Sequence, residues 1–249
     1  MSRHLVLSGG PAHEFDATSR ELIGLLEADG FQSVLVTDPD EALTVLRAAE
    51  ELETPPIDLL TVNALRWRME ADRYEPLRSE QAYTLSPADD ALLEQYVAGG
   101  GGLLALHAAV ICFDASPAWN RLCGASWNWT TSSHPAVGPA QVRVTERGRS
   151  HPLTEGVADF TITDEVYGFL DENLAEGNVA PLLTSAHGGR DHPLLWTQEI
   201  GRGRVVTDLL GHGLPSLSHP AHRTVLARAA RWAERGTAHG AARGTARDV

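Results

Sequence analysis

Short apolar runs alternate with stretches of helical periodicity through the first half of the chain, and no other feature constrains the fold as strongly. Leu5-Val6-Leu7, Val34-Leu35-Val36 and the run from Ile57 to Val62 are each bounded by turn residues. Between them, from about Ser19 to Asp29 and from about Asp40 to Leu52, apolar side chains recur at helical spacing. Leu22, Leu25 and Leu26 fall on one face, and Gly30 stands where a helix takes its left-handed closing residue. Strands that alternate with helices form βαβ units and feed a parallel sheet covered on both faces. The pattern predicts a doubly wound α/β fold.

The same rhythm continues past an interruption. Ser86-Pro87 supplies an N-cap and a proline at the first helical position for a helix carrying Leu92, Leu93, Tyr96 and Val97. Gly99 to Gly102 end that helix, and Leu103 to Leu106 form a short strand that terminates at His107. The interruption, from Asn63 to Thr84, holds Arg66, Trp67, Arg68, Met69, Arg73 and Tyr74 with no clear period. It reads as a lid, an oligomer contact or a solvated connection. Beyond about Gly124 come strand-like pieces, Gln141 to Val144, Phe160 to Ile162, Leu194 to Trp196 and Arg204 to Val206, which either extend the sheet or form a small flanking one. A last helix runs from about His219 to Arg235, with Val225, Leu226, Ala229 and Trp232 at helical spacing. The chain reads as a single domain over 1–235 followed by a disordered tail over 236–249.

Composition narrows the function. With 43% hydrophobic and 21% charged residues the chain belongs with globular proteins, which excludes disordered and fibrous classes. The net charge is −13, and no stretch gathers the basic residues into a stripe, so neither nucleic acid nor an anionic membrane is expected as a partner. The first apolar run is too short for a signal peptide and no later one is long enough to span a bilayer, which points to the cytoplasm. Cys112 and Cys123 are too few for a disulfide framework and are not spaced as a zinc knuckle or redox pair; they read as buried, reduced thiols.

Ligands of open α/β sheets bind outside the carboxyl ends of the strands. Three loops meet that rule here: the one holding Gly9, Gly10, His13, Glu14 and Phe15, the one that opens with His107, and the one with Gly211-His212-Gly213. Each delivers one of the chain's eleven histidines. Gly9-Gly10 is not a nucleotide fingerprint, since neither the dinucleotide nor the P-loop motif is present, and no nucleotide cofactor is expected. The turn after Gly102 resembles a nucleophile elbow in position, yet its apex is His107 and not serine or cysteine, which disfavours acyl-enzyme chemistry. Imidazole at an apex suits acid-base work or metal ligation. Thr163 to Tyr167 adds paired carboxylates and a phenol, and strand alternation would set Glu165 and Tyr167 on one face. Asp164 either caps a turn or acts in the site, and Tyr167 either packs or acts. His134 is a candidate ligand or substrate contact, whereas His151-Pro152 orders a turn.

Leu7-Ser8-Gly9-Gly10 with His13 and Phe15, Gly100 to Leu103 running to Leu106-His107-Ala108-Ala109, and His134 make up a recognisable series. It continues through His151-Pro152-Leu153-Thr154, Asp164 to Tyr167, Pro193 with Trp196, and Gly201 to Val205 leading to Leu210-Gly211-His212. In this order, from about Leu5 to Trp232, the chain resembles the ThuA-like (trehalose-utilisation) family. The resemblance implies a flavodoxin-like, mostly parallel sheet related to class I glutamine amidotransferases, with additional strands in the C-terminal part. It implies a pocket lined by His13, His107, Glu165, Tyr167 and His212, with Gly10, Phe15, His134 and Trp196 as further substrate contacts. It also implies carbohydrate catabolism linked to 3-keto sugars made by a partner dehydrogenase. The amidotransferase cysteine is replaced by His107, so glutamine hydrolysis is not expected.

Two classes of function follow. In the first, the chain is an enzyme in which His107 or Glu165 removes the proton beside a sugar carbonyl while His13 or His212 stabilises the enolate, or a divalent metal held by the histidines does that polarising work. In the second it is a sugar-binding or regulatory domain without chemistry, its aromatics Trp67, Trp127 and Trp129 either stacking on sugar or packing in the core. A hydrolase using Ser8 is a third, weaker option. A homo-oligomer is compatible with all three.

Overall fold

The computed structural model describes residues 1–51, 53, 54, 56–172 and 180–234; the tail over 236–249 lies outside them. The chain runs β1 (Ser2–Gly9), α1 (Phe15–Ala28), β2 (Phe31–Val36), α2 (Pro39–Glu50), β3 (Leu59–Ala64), α3 (Glu75–Gln81), α4 (Pro87–Ala98), β4 (Gly102–Leu106) and α5 (Pro117–Cys123). It continues with β5 (Ala125–Ser126), β6 (Gly138–Val144), α6 (Glu146–Arg149), β7 (Phe160–Asp164), β8 (Asp171–Glu172), β9 (Leu183–His187), β10 (Arg190–Ile200), β11 (Gly203–Asp208), α7 (Leu214–Leu217) and α8 (Pro220–Ala233).

Nine strands form one sheet in the order β2-β1-β3-β4-β11-β10-β9-β6-β7. From β2 to β11 every neighbouring pair is parallel, and from β11 to β7 every pair is antiparallel. The later strand-like pieces therefore extend the sheet. β3 and β4 are buried along their whole length, which is why they read as unbroken apolar runs, whereas β6 alternates buried and exposed residues because one of its faces meets solvent. Helices cover both faces: α1, α7 and α8 pack together on one side, α2, α4 and α5 on the other.

Local signals account for most boundaries. Ser86 and Asp89 close a reciprocal capping box at the start of α4, and Gly30, at φ +90, ends the turn after α1. α1 begins at Phe15, four residues ahead of the expected start, because its N-cap Glu14 makes no side-chain cap and the helix is fixed by burial of Phe15. The Asn63 to Thr84 segment contributes the end of β3, a single 3-10 turn at Asp72–Tyr74, and α3.

Direction along the sheet decides where loops emerge. β1, β4 and β11 run the same way, so the loops after all three lie on one edge. Four antiparallel steps separate β7 from β11, and an even number restores direction, so the carboxyl end of β7 at Asp164 opens on that same edge.

Candidate functional site

Four loops converge there. Gly9 and Gly10, at φ +105 and +127, turn the chain out of β1. A Cβ on Gly10 would sit 2.3 Å from the Leu65 carbonyl oxygen, so only glycine lets this loop pass the segment after β3. Beyond the turn, His13 leans against Phe15, with ring centroids 5.1 Å apart. Phe15 itself is buried.

His107 ends β4 in a left-handed conformation, φ +50, at a cost on the order of 1 kcal/mol for a residue with a side chain. That turn holds the imidazole in the interior, 1% exposed, with Nδ1 donating to the Leu209 carbonyl at 2.8 Å. Nε2 is thereby left as the lone-pair nitrogen. It faces His13 Nε2 at 3.2 Å, the Tyr167 hydroxyl at 3.1 Å and Glu165 Oε2 at 3.7 Å. His212 closes the group, with Nδ1 3.1 Å from Glu165 Oε2 and its ring 4.7 Å from that of His13. On the other side of the carboxylate, His134 Nδ1 lies 3.1 Å from Oε1. Glu165 and Tyr167 join this cluster, but from the loop after β7 and not from a strand.

Burial sets the charges. Desolvation, with repulsion from His107 and His212, holds His13 down to about 3, and desolvation does the same to His107. Both are neutral near pH 7. Burial beside Glu165 pushes the Tyr167 phenol well above its ordinary range, so it stays a protonated donor.

Asp164 was legible only as a turn residue or a site acid, and it is a clamp. Its buried carboxylate accepts the amides of Glu165 (2.8 Å), Gly211 (2.8 Å) and His212 (3.2 Å), tying the loop after β7 to the loop after β11. Asp208 works beneath it, accepting the Leu210 amide at 3.0 Å and pairing with buried His222 at 3.1 Å. Sequence reasoning passed over Asp208 and His222, whose only signal is a carboxylate and a histidine in otherwise apolar segments.

An aromatic wall leads away from the cluster. Trp127 packs on Tyr167 with centroids 5.3 Å apart, Trp129 follows at 6.3 Å, and Trp67 stacks on Trp129 at 5.8 Å. Trp129 is 44% exposed and borders a cavity of about 390 Å3 lined also by Trp67, Glu70, Arg73, Tyr74 and Asp114. The irregular Asn63 to Thr84 segment thus supplies one side of a cavity.

The expectations for Trp196 and Ser8 are corrected. Trp196 is 1% exposed and donates its indole N–H to the Cys123 carbonyl at 2.8 Å, so it packs the sheet instead of contacting a substrate. Ser8 is buried, donating to the Phe15 carbonyl and accepting from Ser19, which removes it as a nucleophile. Cys112 is buried and donates to the Ala64 carbonyl, its thiol pushed up to about 12 by desolvation. Cys123 is buried likewise.

The family model for trehalose utilisation, ThuA, matches residues 3–233. The chain belongs to the ThuA family. Among solved structures, a ThuA-like protein of Parabacteroides merdae superposes with TM-score 0.72 at 19% identity, covering 93% of this chain and 89% of that one. A ThuA-like protein of Bacteroides uniformis gives 0.66 at 18% identity over 93% and 90%, and a cytoplasmic protein of Salmonella typhimurium gives 0.58 at 12% over 95% and 100%. At these identities the likeness is one of fold. No curated protein matches the chain. Membership supports a part in carbohydrate utilisation, and among the described residues no helix is long and apolar enough to cross a membrane.

Proposed function

We propose that the chain acts on an oxidised, 3-keto disaccharide or glycoside by acid-base chemistry beside the carbonyl. The observation that carries this reading is one carboxylate, Glu165, held against three imidazoles and a phenol on the ligand-binding edge of the sheet. A carbonyl at C3 acidifies the proton on C2. Glu165 takes that proton, the C–H electron pair moves into a new carbon-carbon double bond, and the carbonyl oxygen becomes an enolate. The Tyr167 hydroxyl and the imidazoles of His13, His107 and His212 surround the place where that oxygen gathers charge. Collapse of the enolate then either expels the glycosidic oxygen from C1, which leaves with a proton, or returns the proton at another carbon.

The aromatic wall from Trp127 to Trp67 supports a substrate longer than one ring, since sugar faces stack on indole. A 3-keto sugar has to come from an oxidation, so a sugar dehydrogenase acts upstream. His107 at the end of β4 leaves no thiol there for glutamine hydrolysis.

The test is product analysis by mass spectrometry after incubation with 3-keto disaccharides and their unoxidised parents. Turnover confined to the keto sugars, and lost in Glu165→Gln, supports the reading. Keto sugars that bind yet return unchanged make the protein a binding domain instead.

A further inference from the structure

We propose that His13, His107, His212 and Glu165 bind one divalent transition-metal ion, with zinc as the expected occupant. One donor atom from each residue lies within 4.8 Å of all the others. Four donors at zinc bond lengths stand about 3.3 Å apart at the corners of a tetrahedron. Three of the six separations are 3.2 Å from His13 to His107, 3.1 Å from His212 to Glu165 and 3.7 Å from His107 to Glu165, and the other three are no longer than 4.8 Å.

Hydrogen bonding explains only part of this packing. Nε2 of His107 has a single lone pair, because Nδ1 carries the proton given to Leu209, yet His13 and Tyr167 both crowd it. His212 Nδ1 is buried 3.1 Å from Glu165 Oε2 and makes no hydrogen bond with it. Close approach without hydrogen-bond geometry is what donors aimed at a common third atom produce.

The supports are those of a metal shell. The Leu209 carbonyl fixes the His107 tautomer, and Asp164 holds the backbones of Glu165 and His212. Oε1 of Glu165, beside His134, stays outside the shell and keeps its capacity as a base. Three imidazoles and one carboxylate select zinc, iron, cobalt or nickel over magnesium or calcium, which prefer oxygen ligands. Bound here, the ion would supply a Lewis acid to a carbonyl oxygen that enters as a fifth ligand.

The site is tested without any sugar. The full chain, stripped with chelator, is dialysed against Zn2+ and, separately, titrated with Co2+ while visible absorption is followed. One ion per chain and intense cobalt d–d bands are expected, with binding weakened by more than about 100-fold in His212→Gln and Glu165→Gln. A cobalt spectrum identical to that of the free aqua ion, or variants that bind like the parent, overturns the proposal. Should either variant fail to fold, zinc-edge X-ray absorption on the unmodified protein decides: imidazole back-scattering supports the site, and a shell without imidazole overturns it. Sugar turnover without metal uptake counts against this site alone, and metal uptake without turnover counts against the sugar reading alone.

Discussion

The carboxylate of Asp164 accepts the backbone amide of Gly211 at 2.8 Å across 47 residues of chain. With the amides of Glu165 and His212 on its other oxygen, this one side chain sets the spacing between a carboxylate and an imidazole that belong to loops after different strands. Asp164→Asn keeps the shape but turns an amide group toward backbone donors. It is expected to lose about 2–4 kcal/mol in urea unfolding, since at least one buried N–H loses its acceptor, and to weaken activity along with it. Unchanged stability would mean that the clamp is not where the loops are held.

Tyr167→Phe removes only the hydroxyl beside His107 Nε2. Packing against Trp127 survives, so the melting temperature should stay within a few degrees, while kcat falls by about 100-fold and KM holds, as expected for a donor to developing charge. A rise in KM with kcat intact would make Tyr167 a binding residue.

Trp129 is exposed at the rim of the aromatic cavity. Trp129→Ala should raise KM for a disaccharide by about tenfold, or ~1.4 kcal/mol of lost stacking, with little effect on a single-ring substrate. Equal effects on both would place the second ring elsewhere.

His4 gives the protein an acid limit that has nothing to do with the site. The ring is 1% exposed between Ser33 and Thr61, and desolvation lowers it from 6.5 to about 3. The unfolded chain therefore binds a proton that the folded chain refuses. Stability from this residue is complete above pH 6.5 and is lost as the pH falls toward 3, by up to about 1.4 kcal/mol per pH unit. His4→Gln should be less stable at pH 8 and should show a shallower loss below pH 6.5 in parallel denaturant titrations; a difference independent of pH would refute this account.

Much of this was readable from the chain. Leu5 to Leu7 and Leu103 to Leu106 announce buried parallel strands because a strand covered on both faces has no polar side to interrupt it, whereas Val34 to Val36 lie in the edge strand β2, where Val34 is 53% exposed. His13, His107 and His212 could be placed on one edge because each follows such a strand, and parallel strands share their carboxyl ends. Trp196 misled for a physical reason: an indole beside polar residues looks the same in sequence whether its N–H meets a ligand or the Cys123 carbonyl. Asp164 was ambiguous because two of its three amide partners lie 47 and 48 residues away.

Periodicity, fold class and the loops that carry chemistry were all legible in the chain, since these depend on the spacing of neighbours along it. The folded arrangement was needed to show that β7 points the same way as β11, that Glu165 meets three imidazoles, and that Nε2 of His107 carries the lone pair. Those facts are distances and hydrogen-bond directions between residues remote in sequence, fixed by how a nine-stranded sheet is ordered and how its loops are tied.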